Sequence, residues 1–591
     1  MIKKGDKMIK INELSYSFPQ KTLFNKISFT LEEGQHCALI GVSGSGKSTL
    51  IDLIMDPESY IFDGSLEIEA NSKIGYVSQF YEVDKNSKLT VFEYIGKDFI
   101  KLQNELIKLG EDMASSSDIE LLLEKYQETS DTFDALGGND FENIINKKLN
   151  LSNLMTIRDL SLSKVSGGEF KLMQVIKEML TLPDLMIMDE PDVFLDFDNL
   201  NSLKNLINSY KGSLLTITHN RYLLNHCFDK IIHLENTELQ EFDGNYIDYN
   251  FSLLERKIEL QELAHADTEE IKRNELLIAK FRKAAAENSE ASIGQHVNSR
   301  VKIQERLLAR RIKEPFVYIN QPDMVFPTET SDEDLEESTI LKVSDLNIGF
   351  DNLLLEKINF EIKSKDKVVI IGPNGTGKTT LLLELFKNNN PSINFKEDIK
   401  LAYLSQIKGE TLDESNTIYE EFFDSGFKSY TEIDSCLNDY GFNKDIANQK
   451  INSLSGGEKN IIQLAKLSHE KSDMLILDEP TSHLDTYSQI ALEKAIEDYR
   501  GAILMVSHDF YSIVNTMDYV LLIEDNSIRR MTMKKFKQMT YKRYFDRDYL
   551  EMEKKKKELE IEIDMALKDN YFELAQTLAI KLESIIERLK N

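Results

Sequence analysis

A phosphate-binding loop occurs twice in this chain of 591 residues, and it places one strong constraint on the fold. The two runs are GVSGSGKS at 41–48 and GPNGTGKT at 372–379, and both fit the pattern G-x-x-x-x-G-K-[ST]. In such a loop, backbone amides and a helix N-terminus point at phosphate, the lysine adds positive charge, and the hydroxyl can bind Mg²⁺. Two copies predict two nucleotide-binding α/β domains.

The motifs downstream of the loops repeat as well. Each loop is followed by a glutamine, a Ser-Gly-Gly-Glu run, an apolar run ending in Asp-Glu, and a histidine. In both copies 24 residues separate the serine from the glutamate after the strand, and 29 separate that glutamate from the histidine. The positions are Gln79, Ser166, Asp189, Glu190 and His219, and then Gln406, Ser455, Asp478, Glu479 and His508.

The apolar runs that end in Asp-Glu predict buried strands of a parallel sheet flanked by helices. The carboxyl ends of such strands form the edge where open α/β sheets bind ligands. We therefore expect Asp189 and Asp478 to help hold Mg²⁺. The following residues, Glu190 and Glu479, are then placed to polarise the attacking water.

These four ordered motifs resemble those of ABC-type ATPases, whose signature run is LSGGQ. The resemblance covers most of residues 8–240 and 339–530. It implies that two domains close head to tail, each signature run covering the ATP of the other domain. It also implies that His219 and His508 contact the γ-phosphate, so we count both with the two glutamates as candidate catalytic residues. Taken singly, a glutamate after a strand is usually solvated and a histidine is usually packed.

Carried over to this sequence, the resemblance assigns two composite ATP sites. Site one combines Lys47, Ser48, Gln79, Asp189, Glu190 and His219 with Ser455 and Gly457. Site two combines Lys378, Thr379, Gln406, Asp478, Glu479 and His508 with Ser166 and Gly168. The implied Mg²⁺ ligands are Ser48, Gln79 and Asp189, and Thr379, Gln406 and Asp478. Other loop residues expected to hold nucleotide are Gly41, Ser43, Gly44, Gly46, Thr49, Gly372, Asn374, Gly375, Gly377 and Thr380.

An aromatic residue precedes each loop. Phe18 lies 23 residues before Gly41, and Phe350 lies 22 before Gly372. Both stand where the family stacks an aromatic ring on adenine. A core aromatic is an equally open alternative.

The two copies differ near their carboxylates. The first reads DEPDVFLD from Asp189, whereas the second reads DEPTSHLD from Asp478 and matches the usual family pattern. His219 is followed by Asn220, but His508 is followed by the more usual Asp509. No candidate catalytic residue is missing, so we expect two competent sites whose relative rates stay open.

Composition favours a soluble cytoplasmic protein. No uninterrupted apolar stretch approaches the roughly 20 residues needed to cross a bilayer. The N-terminal run lacks an apolar signal-peptide core, and Met8 is as good a start as Met1. Three dispersed cysteines favour a reducing compartment and argue against zinc or iron–sulfur sites.

Charge is unevenly distributed along a chain whose net charge is −30. Residues 272–313 contain eleven basic and four acidic residues. They belong to a segment, 250–315, rich in helix formers, in which we predict two long antiparallel helices with a tip near 284–296. Its basic residues Arg300, Lys302, Arg306, Arg310 and Arg311 suit phosphate contacts. A solvated charged face is the alternative.

The run FDGNYIDY at 242–249, between a nucleotide-binding domain and this linker, is similar to the ABC-F family of ATPases. Its members carry two ATPase domains on one chain, lack transmembrane domains and act on ribosomes. The resemblance implies that the linker enters the tRNA exit site and points toward the peptidyl-transferase centre. The basic linker is what an element facing rRNA and tRNA needs.

The predicted architecture is therefore α/β, with two P-loop ABC-type domains, a helical hairpin linker and a C-terminal helical extension. The boundaries are 8–249 with a helical arm near 97–138, then 250–315, an acidic flexible joint at 316–338, then 339–540 and 541–591. In the extension, one apolar stripe predicts a short antiparallel coiled coil; its residues are Tyr571, Leu574, Leu578, Leu582, Ile585 and Leu589.

The leading functional hypothesis is a monomeric ribosome-binding ATPase that uses ATP and Mg²⁺. Within it, protection of the ribosome against antibiotics is slightly favoured over a housekeeping role in elongation. An ATPase subunit of a membrane transporter and a DNA-repair ATPase are the alternatives from other classes.

Overall fold

The computed structural model of the protein describes residues 7–18, 21–79, 88–115, 119–193, 195–287, 299–307, 322–328, 338–349, 353–405, 412–442, 444–544 and 549–590. The chain divides into two compact units. The first comprises Met1–Asn245 and Asn320–Met539, and the second comprises Tyr246–Ile319 and Thr540–Asn591. Both nucleotide-binding domains lie in the first unit.

The strands that the structure describes belong to the two nucleotide-binding domains. Those of the first domain are β1 (Lys7–Phe18), β2 (Lys21–Glu32), β3 (His36–Ile40), β4 (Asp63–Ile68), β5 (Ile74–Val77), β6 (Leu185–Asp189), β7 (Ser213–Ile217), β8 (Lys230–Glu235) and β9 (Glu238–Asp243). Those of the second are β10 (Thr339–Gly349), β11 (Leu353–Lys363), β12 (Lys367–Ile371), β13 (Ile393–Phe395), β14 (Leu401–Leu404), β15 (Met474–Asp478), β16 (Ala502–Val506), β17 (Tyr519–Glu524) and β18 (Ser527–Thr532).

Each domain contains a six-stranded and a three-stranded sheet. The six-stranded orders are β5-β6-β7-β3-β8-β9 and β14-β15-β16-β12-β17-β18. Their strands run parallel except for the last, β9 or β18, which is antiparallel. The three-stranded antiparallel sheets have the orders β2-β1-β4 and β11-β10-β13. The two domains therefore share one topology, as their repeated motifs predict.

The helices begin and end as follows. In the first domain they are α1 (Lys47–Met55), α2 (Val91–Ile95), α3 (Lys97–Ser115), α4 (Ile119–Ala135), α5 (Phe141–Leu151), α6 (Gly167–Leu180), α7 (Phe197–Ser209) and α8 (Arg221–His226). The linker contributes α9 (Tyr246–Glu287) and α10 (299–307). The remainder are α11 (Lys378–Lys387), α12 (Ile418–Asp424), α13 (Tyr430–Asp439), α14 (Gly456–Leu467), α15 (Thr486–Asp498), α16 (Phe510–Thr516), α17 (Met533–Tyr544), α18 (Tyr549–Lys568) and α19 (Phe572–Lys590).

One hydrophobic core in each domain joins the two sheets to the helix that follows the phosphate loop. In the first domain Leu14, Leu50 and Ile187 belong to one buried cluster. Strand β6 is buried at every residue and is a continuous apolar run up to Asp189. Strand β7 is equally buried but includes Ser213 and Thr216. The α/β class predicted from the sequence is confirmed.

The segment inserted into the first domain is helical. Helices α3 and α4 occupy it, and their connection at 116–118 lies outside the described residues. The preceding helix α2 begins at a capping box, in which the Thr90 hydroxyl accepts from the Glu93 amide and the Glu93 carboxylate accepts from Thr90.

The second unit is helical and has a core of its own. Ile247 and Ile258 of α9 pack with Ile563 of α18 and Leu582 of α19. Farther along α9, the Asn274 amide donates to the Gln304 side chain of α10 at 2.7 Å. The C-terminal helices therefore share a core with the base of the linker. Helix α9 also begins at Tyr246, slightly before the predicted boundary.

Two further expectations need correction. Tyr571 and Leu574, predicted in the apolar stripe of α19, are 63% and 50% exposed. The buried stripe instead includes Ala575 and Ala579, whose small side chains allow a closer approach of neighbouring helices. Residues 322–328, predicted as part of a flexible joint, lie against the second domain: Met324 and Phe326 are buried.

Some predicted features lie outside the described residues. They are residues 288–296 of the linker tip predicted at 284–296, Arg310 and Arg311, and most of the acidic run at 329–337. Among the helices that the structure describes, none is long and apolar enough to cross a membrane.

Candidate functional site

Each phosphate loop connects a central strand to the helix behind it. The first leaves β3 after Ile40 and enters α1 at Lys47. A Cβ at Gly41 would lie 2.1 Å from the Leu234 carbonyl oxygen, so only glycine fits at the start of this loop. The Lys47 ammonium is buried and donates to the carbonyls of Gly41 and Val42, at 2.9 and 3.0 Å. Lys378 makes the same pair of bonds, to Gly372 and Pro373.

Sheet topology brings the candidate catalytic residues of each copy together. Strand β6 ends at Asp189, which pairs in register with Ile217 at the end of β7. The Glu190 amide donates to the Ile217 carbonyl at 2.9 Å, and His219 follows two residues after that carbonyl. The same register joins Asp478 to Val506 in the second domain, with the Glu479 amide on the Val506 carbonyl. Strand ends distant in sequence therefore meet beside the phosphate loop.

Both glutamates have an uncommon backbone conformation. The φ angles of Glu190 and Glu479 are +44° and +49°, in the left-handed region that side-chain-bearing residues rarely adopt. Such conformations cost about 1–3 kcal/mol and persist where the surrounding structure holds them, often at functional sites. Their occurrence at equivalent positions in both copies supports a functional interpretation.

The candidate Mg²⁺ ligands of site one lie close together. The Ser48 hydroxyl hydrogen-bonds to Asp189, whose pKa is raised to about 6 by burial and by the neighbouring Glu190 charge. A buried carboxylate beside a hydroxyl is a donor set that suits Mg²⁺, which prefers oxygen ligands. At site two, Thr379 and the buried Asp478 line one cavity, and Gln406 lies outside the described residues.

Glu190 is hydrogen-bonded by side chains from both domains. Gln79 Nε2 donates to Oε2 at 2.5 Å, and His483 Nδ1 of the second domain lies 3.3 Å from the same oxygen. Burial alone would raise the pKa of Glu190, but the bond from His483 and the nearby His219 and Lys47 outweigh it and lower the pKa to about 2. Glu190 is therefore a carboxylate.

Glu479 is held differently. Its Oε2 accepts from the His508 amide at 3.2 Å, and its Oε1 lies 3.4 Å from His508 Nε2. Burial and the neighbouring Asp478 charge raise the pKa of Glu479, and a cation held by Asp478 would lower it again, so that the group could act as a carboxylate. Burial also lowers the pKa of His508 to about 3 and, with Lys47, that of His219 to about 4. Both histidines are thus neutral at physiological pH.

The signature run of each domain faces the phosphate loop of the other. A Cβ at Gly457 would lie 2.5 Å from Ser43 Oγ, so glycine is needed for this approach. Gly168 faces Asn374 of the second domain, where an added Cβ would lie 3.5 Å from Nδ2, an ordinary contact distance. The hydroxyls of Ser166 and Ser455 cap α6 and α14, and each accepts from the amide of the glutamate three residues on.

Two cavities contain most of the predicted nucleotide-binding residues. A cavity of about 1460 Å³ at site one is lined by Phe18 and Gln79 and by residues of both domains. Those predicted are Ser43, Gly44, Gly46, Lys47, Ser48, Thr49, Glu190, Ser455 and Gly457. Phe18 is half exposed beside Tyr16, which fits ring stacking better than a core role.

Site two has a cavity of about 500 Å³. The predicted residues of site two that line it are Gly168, Asn374, Gly375, Gly377, Lys378, Thr379, Thr380, Asp478, Glu479 and His508, and Glu190 and His219, predicted for site one, line it as well. Ser166 does not line this cavity, and Phe350 lies outside the described residues.

Two aspartates at the domain interface were not predicted as site residues. Asp485 Oδ2 accepts from the Ser43 amide, and Asp196 Oδ2 accepts from the Asn374 amide, both at 3.4 Å. Each aspartate therefore joins the helix it caps to the phosphate loop of the other domain. The repeated Leu-Asp after each Asp-Glu pair is the sequence signal that could have identified them.

Lys171 is a second omission. This buried lysine donates to the carbonyls of Ser78 and Gln79, at 2.5 and 3.2 Å, and so holds the loop that carries Gln79. Burial lowers its pKa to about 8, opposed chiefly by the charge of Asp192. Asp192, at which the first copy departs from the usual family pattern, therefore has a buried lysine whose charge interacts with its own.

A buried ion cluster also joins the two domains. Arg221 of α8 bonds to Glu493 of α15 and, at 2.9 Å, to Asp509, which caps α16. Its guanidinium lies 5.0 Å from the ring centre of Tyr511. Because Arg221 follows His219 and Asp509 follows His508, the cluster connects the loops that carry the two histidines.

Comparisons with known proteins agree with this geometry. The model of the ABC transporter family matches residues 24–193 and 355–482. These two matches contain both phosphate loops and both Asp-Glu pairs.

Three relatives match nearly the full chain. An uncharacterized ABC transporter ATP-binding protein of Bacillus subtilis, YfmM, is 31% identical over 86% of this chain and 97% of its own length. ABC transporter F family member 5 of Arabidopsis thaliana is 29% identical over 88% and 75% of the two chains. The energy-dependent translational throttle protein EttA of Escherichia coli K12 is 28% identical over 86% and 90%.

A solved structure shares the fold. The archaeal ribosome recycling factor aABCE1, in complex with the stalk protein aP1, gives a TM-score of 0.54 at 17% identity and covers 89% of this chain and 92% of its own. The protein is an ATPase with two ABC domains on one chain. It belongs to the ABC transporter family, and members of the F family are among its relatives.

Proposed function

We propose that this ATPase binds the ribosome and that ATP-driven closure of its two domains controls the binding. The observation that carries the proposal is the head-to-tail arrangement of two composite sites in one chain, combined with a basic linker on a strongly acidic protein. The throttle protein EttA, named for translation, is similar over most of the chain and supports it.

Closure follows from how the sites are shared. A nucleotide held by Lys47 and Ser48 would meet Ser455 and Gly457 of the other domain, and one held by Lys378 would meet Gly168. ATP then binds more tightly to the paired domains than to separated ones, and this differential affinity drives the change. Loss of the γ-phosphate after hydrolysis removes part of that affinity.

The chain's own residues supply the chemistry of hydrolysis. Mg²⁺, held by Ser48, Gln79 and Asp189 at site one and by Thr379, Gln406 and Asp478 at site two, would neutralise phosphate charge. Glu190 and Glu479 polarise the attacking water. The neutral His219 and His508 stand where a hydrogen bond to the γ-phosphate can form.

The linker is the proposed RNA-contacting element. Within its basic part, 272–313, the exposed basic side chains among the described residues are Lys272, Arg273, Lys280, Lys283, Lys302 and Arg306. Such side chains neutralise backbone phosphates without reading sequence. In keeping with the family resemblance, we place the linker in the tRNA exit site with its tip toward the peptidyl-transferase centre, in a monomeric protein of the cytoplasm.

Two roles fit this placement. One is protection of the ribosome against drugs bound near the peptidyl-transferase centre. The other is regulation of elongation, which the name of the E. coli relative favours. Displacement of a bound drug by the protein would establish the first, and a change in elongation rate without a drug would establish the second.

Co-sedimentation with ribosomes tests the proposal. In a Glu190→Gln/Glu479→Gln variant both water-polarising carboxylates are lost while the nucleotide-binding residues remain, so ATP should trap the closed form. We expect this variant to pellet with ribosomes in ATP and to stay in the supernatant in ADP.

Lys47→Ala/Lys378→Ala is the matched control, since it removes the phosphate-binding charges, and it should not pellet in either nucleotide. A glutamine variant that binds ATP but stays in the supernatant contradicts the proposal. Recovery with a membrane fraction instead would point to the transporter alternative.

A further inference from the structure

We propose that His483, contributed by the second domain, is a positioning residue for hydrolysis at site one, where it orients the Glu190 carboxylate toward the attacking water. The inference rests on the proposed role of Glu190 in polarising that water. It concerns a residue that belongs to neither the phosphate loop nor the signature run of either copy.

The hydrogen bonding at Glu190 carries the proposal. His483 Nδ1 lies 3.3 Å from Glu190 Oε2, and a carboxylate only accepts, so Nδ1 is the donor. Gln79 Nε2 donates to the same oxygen at 2.5 Å. With one donor from each domain on Oε2, the orientation of the carboxylate is set, and Oε1 is the oxygen available to water within the described part of the site.

The His483 ring is held by the domain interface. The side chain is 8% exposed, and its backbone lies in the left-handed region at φ +60°. A Cβ at Gly457 would lie 2.5 Å from the His483 carbonyl oxygen, so the signature run packs directly on this loop. Asp485, two residues on, accepts from the Ser43 amide of the first domain at 3.4 Å.

These contacts tie the orientation of Glu190 to closure. His483 lies on the second domain and Glu190 on the first, so separation of the domains removes this donor. Site one therefore acquires its complete set of donors to Glu190 only in the paired arrangement. Such coupling limits water attack to the closed form.

Site two has no residue equivalent to His483 that could donate such a side-chain hydrogen bond to Glu479. The position of the first copy that corresponds to His483 is Phe194, which lies outside the described residues and whose side chain has no N–H. Glu479 instead accepts from the backbone amide of His508 in its own domain. The two sites thus differ in whether the opposite domain supplies an imidazole donor.

The test compares two substitutions at one position. His483→Phe keeps a ring of similar size and copies the first domain, but it removes the donor. His483→Asn restores an N–H near the position of Nδ1, and asparagine tolerates a positive φ. With all variants made in a Glu479→Gln background, which leaves site one to hydrolyse ATP, we expect His483→Phe to lower kcat about tenfold, the effect of one hydrogen bond to a charged group, with KM unchanged.

His483→Asn should recover most of the lost kcat. His469→Phe is the matched control: this ring stacks on Phe427 in the same domain, away from both sites, so kcat should not change. Equal losses in His483→Phe and His483→Asn, or an unchanged kcat in His483→Phe, overturn the proposal.

Single-turnover hydrolysis assigns the effect to one site. In a Glu479→Gln background, which leaves site one, adding His483→Phe should slow phosphate release; in a Glu190→Gln background it should not. Equal slowing in both backgrounds overturns the inference. If the Glu190→Gln variant hydrolyses ATP at the wild-type rate, the proposed role of Glu190 itself fails, and this result is distinct from a failure of the inference about His483.

Discussion

At the scale of single residues, the unusual first copy is explained by a compensating pair. Lys171 and Asp192 occupy the positions that Asn460 and Thr481 occupy in the second copy. Asn460 donates to the carbonyls of Pro480 and Ser482, at 3.1 and 2.7 Å. The first domain has a buried lysine and a buried aspartate whose charges interact, where the second has neutral groups.

Removal of one member of this pair should destabilise the first domain. Lys171→Asn leaves Asp192 buried without its cation, which should lower the free energy of unfolding by about 3 kcal/mol. The double variant Lys171→Asn/Asp192→Thr copies the second domain and should recover much of that loss. Urea unfolding of the three proteins measures both effects. Additive losses in the double variant would show that the two residues do not interact.

The motif residues could be predicted because their chemistry depends on short, repeated runs. His483, Arg221 and Lys171 could not, since each acts on a partner far away in the sequence. Only the paired domains show that His483 meets Glu190 and that Arg221 meets Asp509. The sequence shows that the two copies differ at residues 192 and 194, but it does not show which residues contact these positions in the fold.

At the scale of elements, the Arg221 cluster joins α8 of one domain to α15 and α16 of the other. The cluster has one copy, because the residues equivalent to Arg221 and Glu493 are Phe510 and Lys204. Lys204 lies over the Tyr222 ring instead. The ion pairs of Arg221 therefore join the two domains at one of two pseudo-equivalent positions of the interface.

Arg221→Ala should weaken closure. It leaves Glu493 and Asp509 buried together without their cation, so we expect the ATP concentration that half-closes the domains to rise about tenfold. Fluorescence energy transfer between labels on the two domains measures this concentration. Arg500→Ala, which removes an exposed arginine of the second domain, is the matched control. An unchanged half-closing concentration would contradict a role for the cluster.

The C-terminal helices should stabilise the base of α9. Leu582 of α19 is buried in the core that contains Ile258, and Leu582→Ala should cost about 3 kcal/mol. Hydrogen exchange along 246–262 should then become faster. Ile580→Ala on the same helix is the matched control, because Ile580 is exposed and its loss should change little. Equal exchange in both variants would show that α19 does not support α9.

At the scale of the whole molecule, most of the fold could be predicted from two kinds of sequence signal. The buried apolar runs and phosphate loops predicted two α/β domains, and the segment 250–315, rich in helix formers, predicted two long helices. The pairing of the C-terminal helices with α9 could not be predicted, because an apolar stripe does not identify its partner. For the same reason the stripe on α19 was placed on Tyr571 and Leu574 rather than on Ala575 and Ala579.

Net charge and local charge together predict how ribosome binding depends on salt. The chain carries −30 overall, so attraction to RNA must come from the basic linker. Lys302→Ala/Arg306→Ala should reduce the salt dependence of ribosome affinity by about one logarithmic slope unit per lost phosphate contact. Lys428→Ala/Lys494→Ala, two exposed lysines of the second domain, provides the control. A slope lowered equally by both pairs would place the RNA contact elsewhere.

The most direct test is a cryo-electron-microscopy map of the Glu190→Gln/Glu479→Gln protein bound to ribosomes in ATP. We predict that both composite sites contain ATP and that the linker helices occupy the tRNA exit site, with 288–298 toward the peptidyl-transferase centre. A particle in which the domains are separated, or in which the linker lies away from the exit site, would contradict the account.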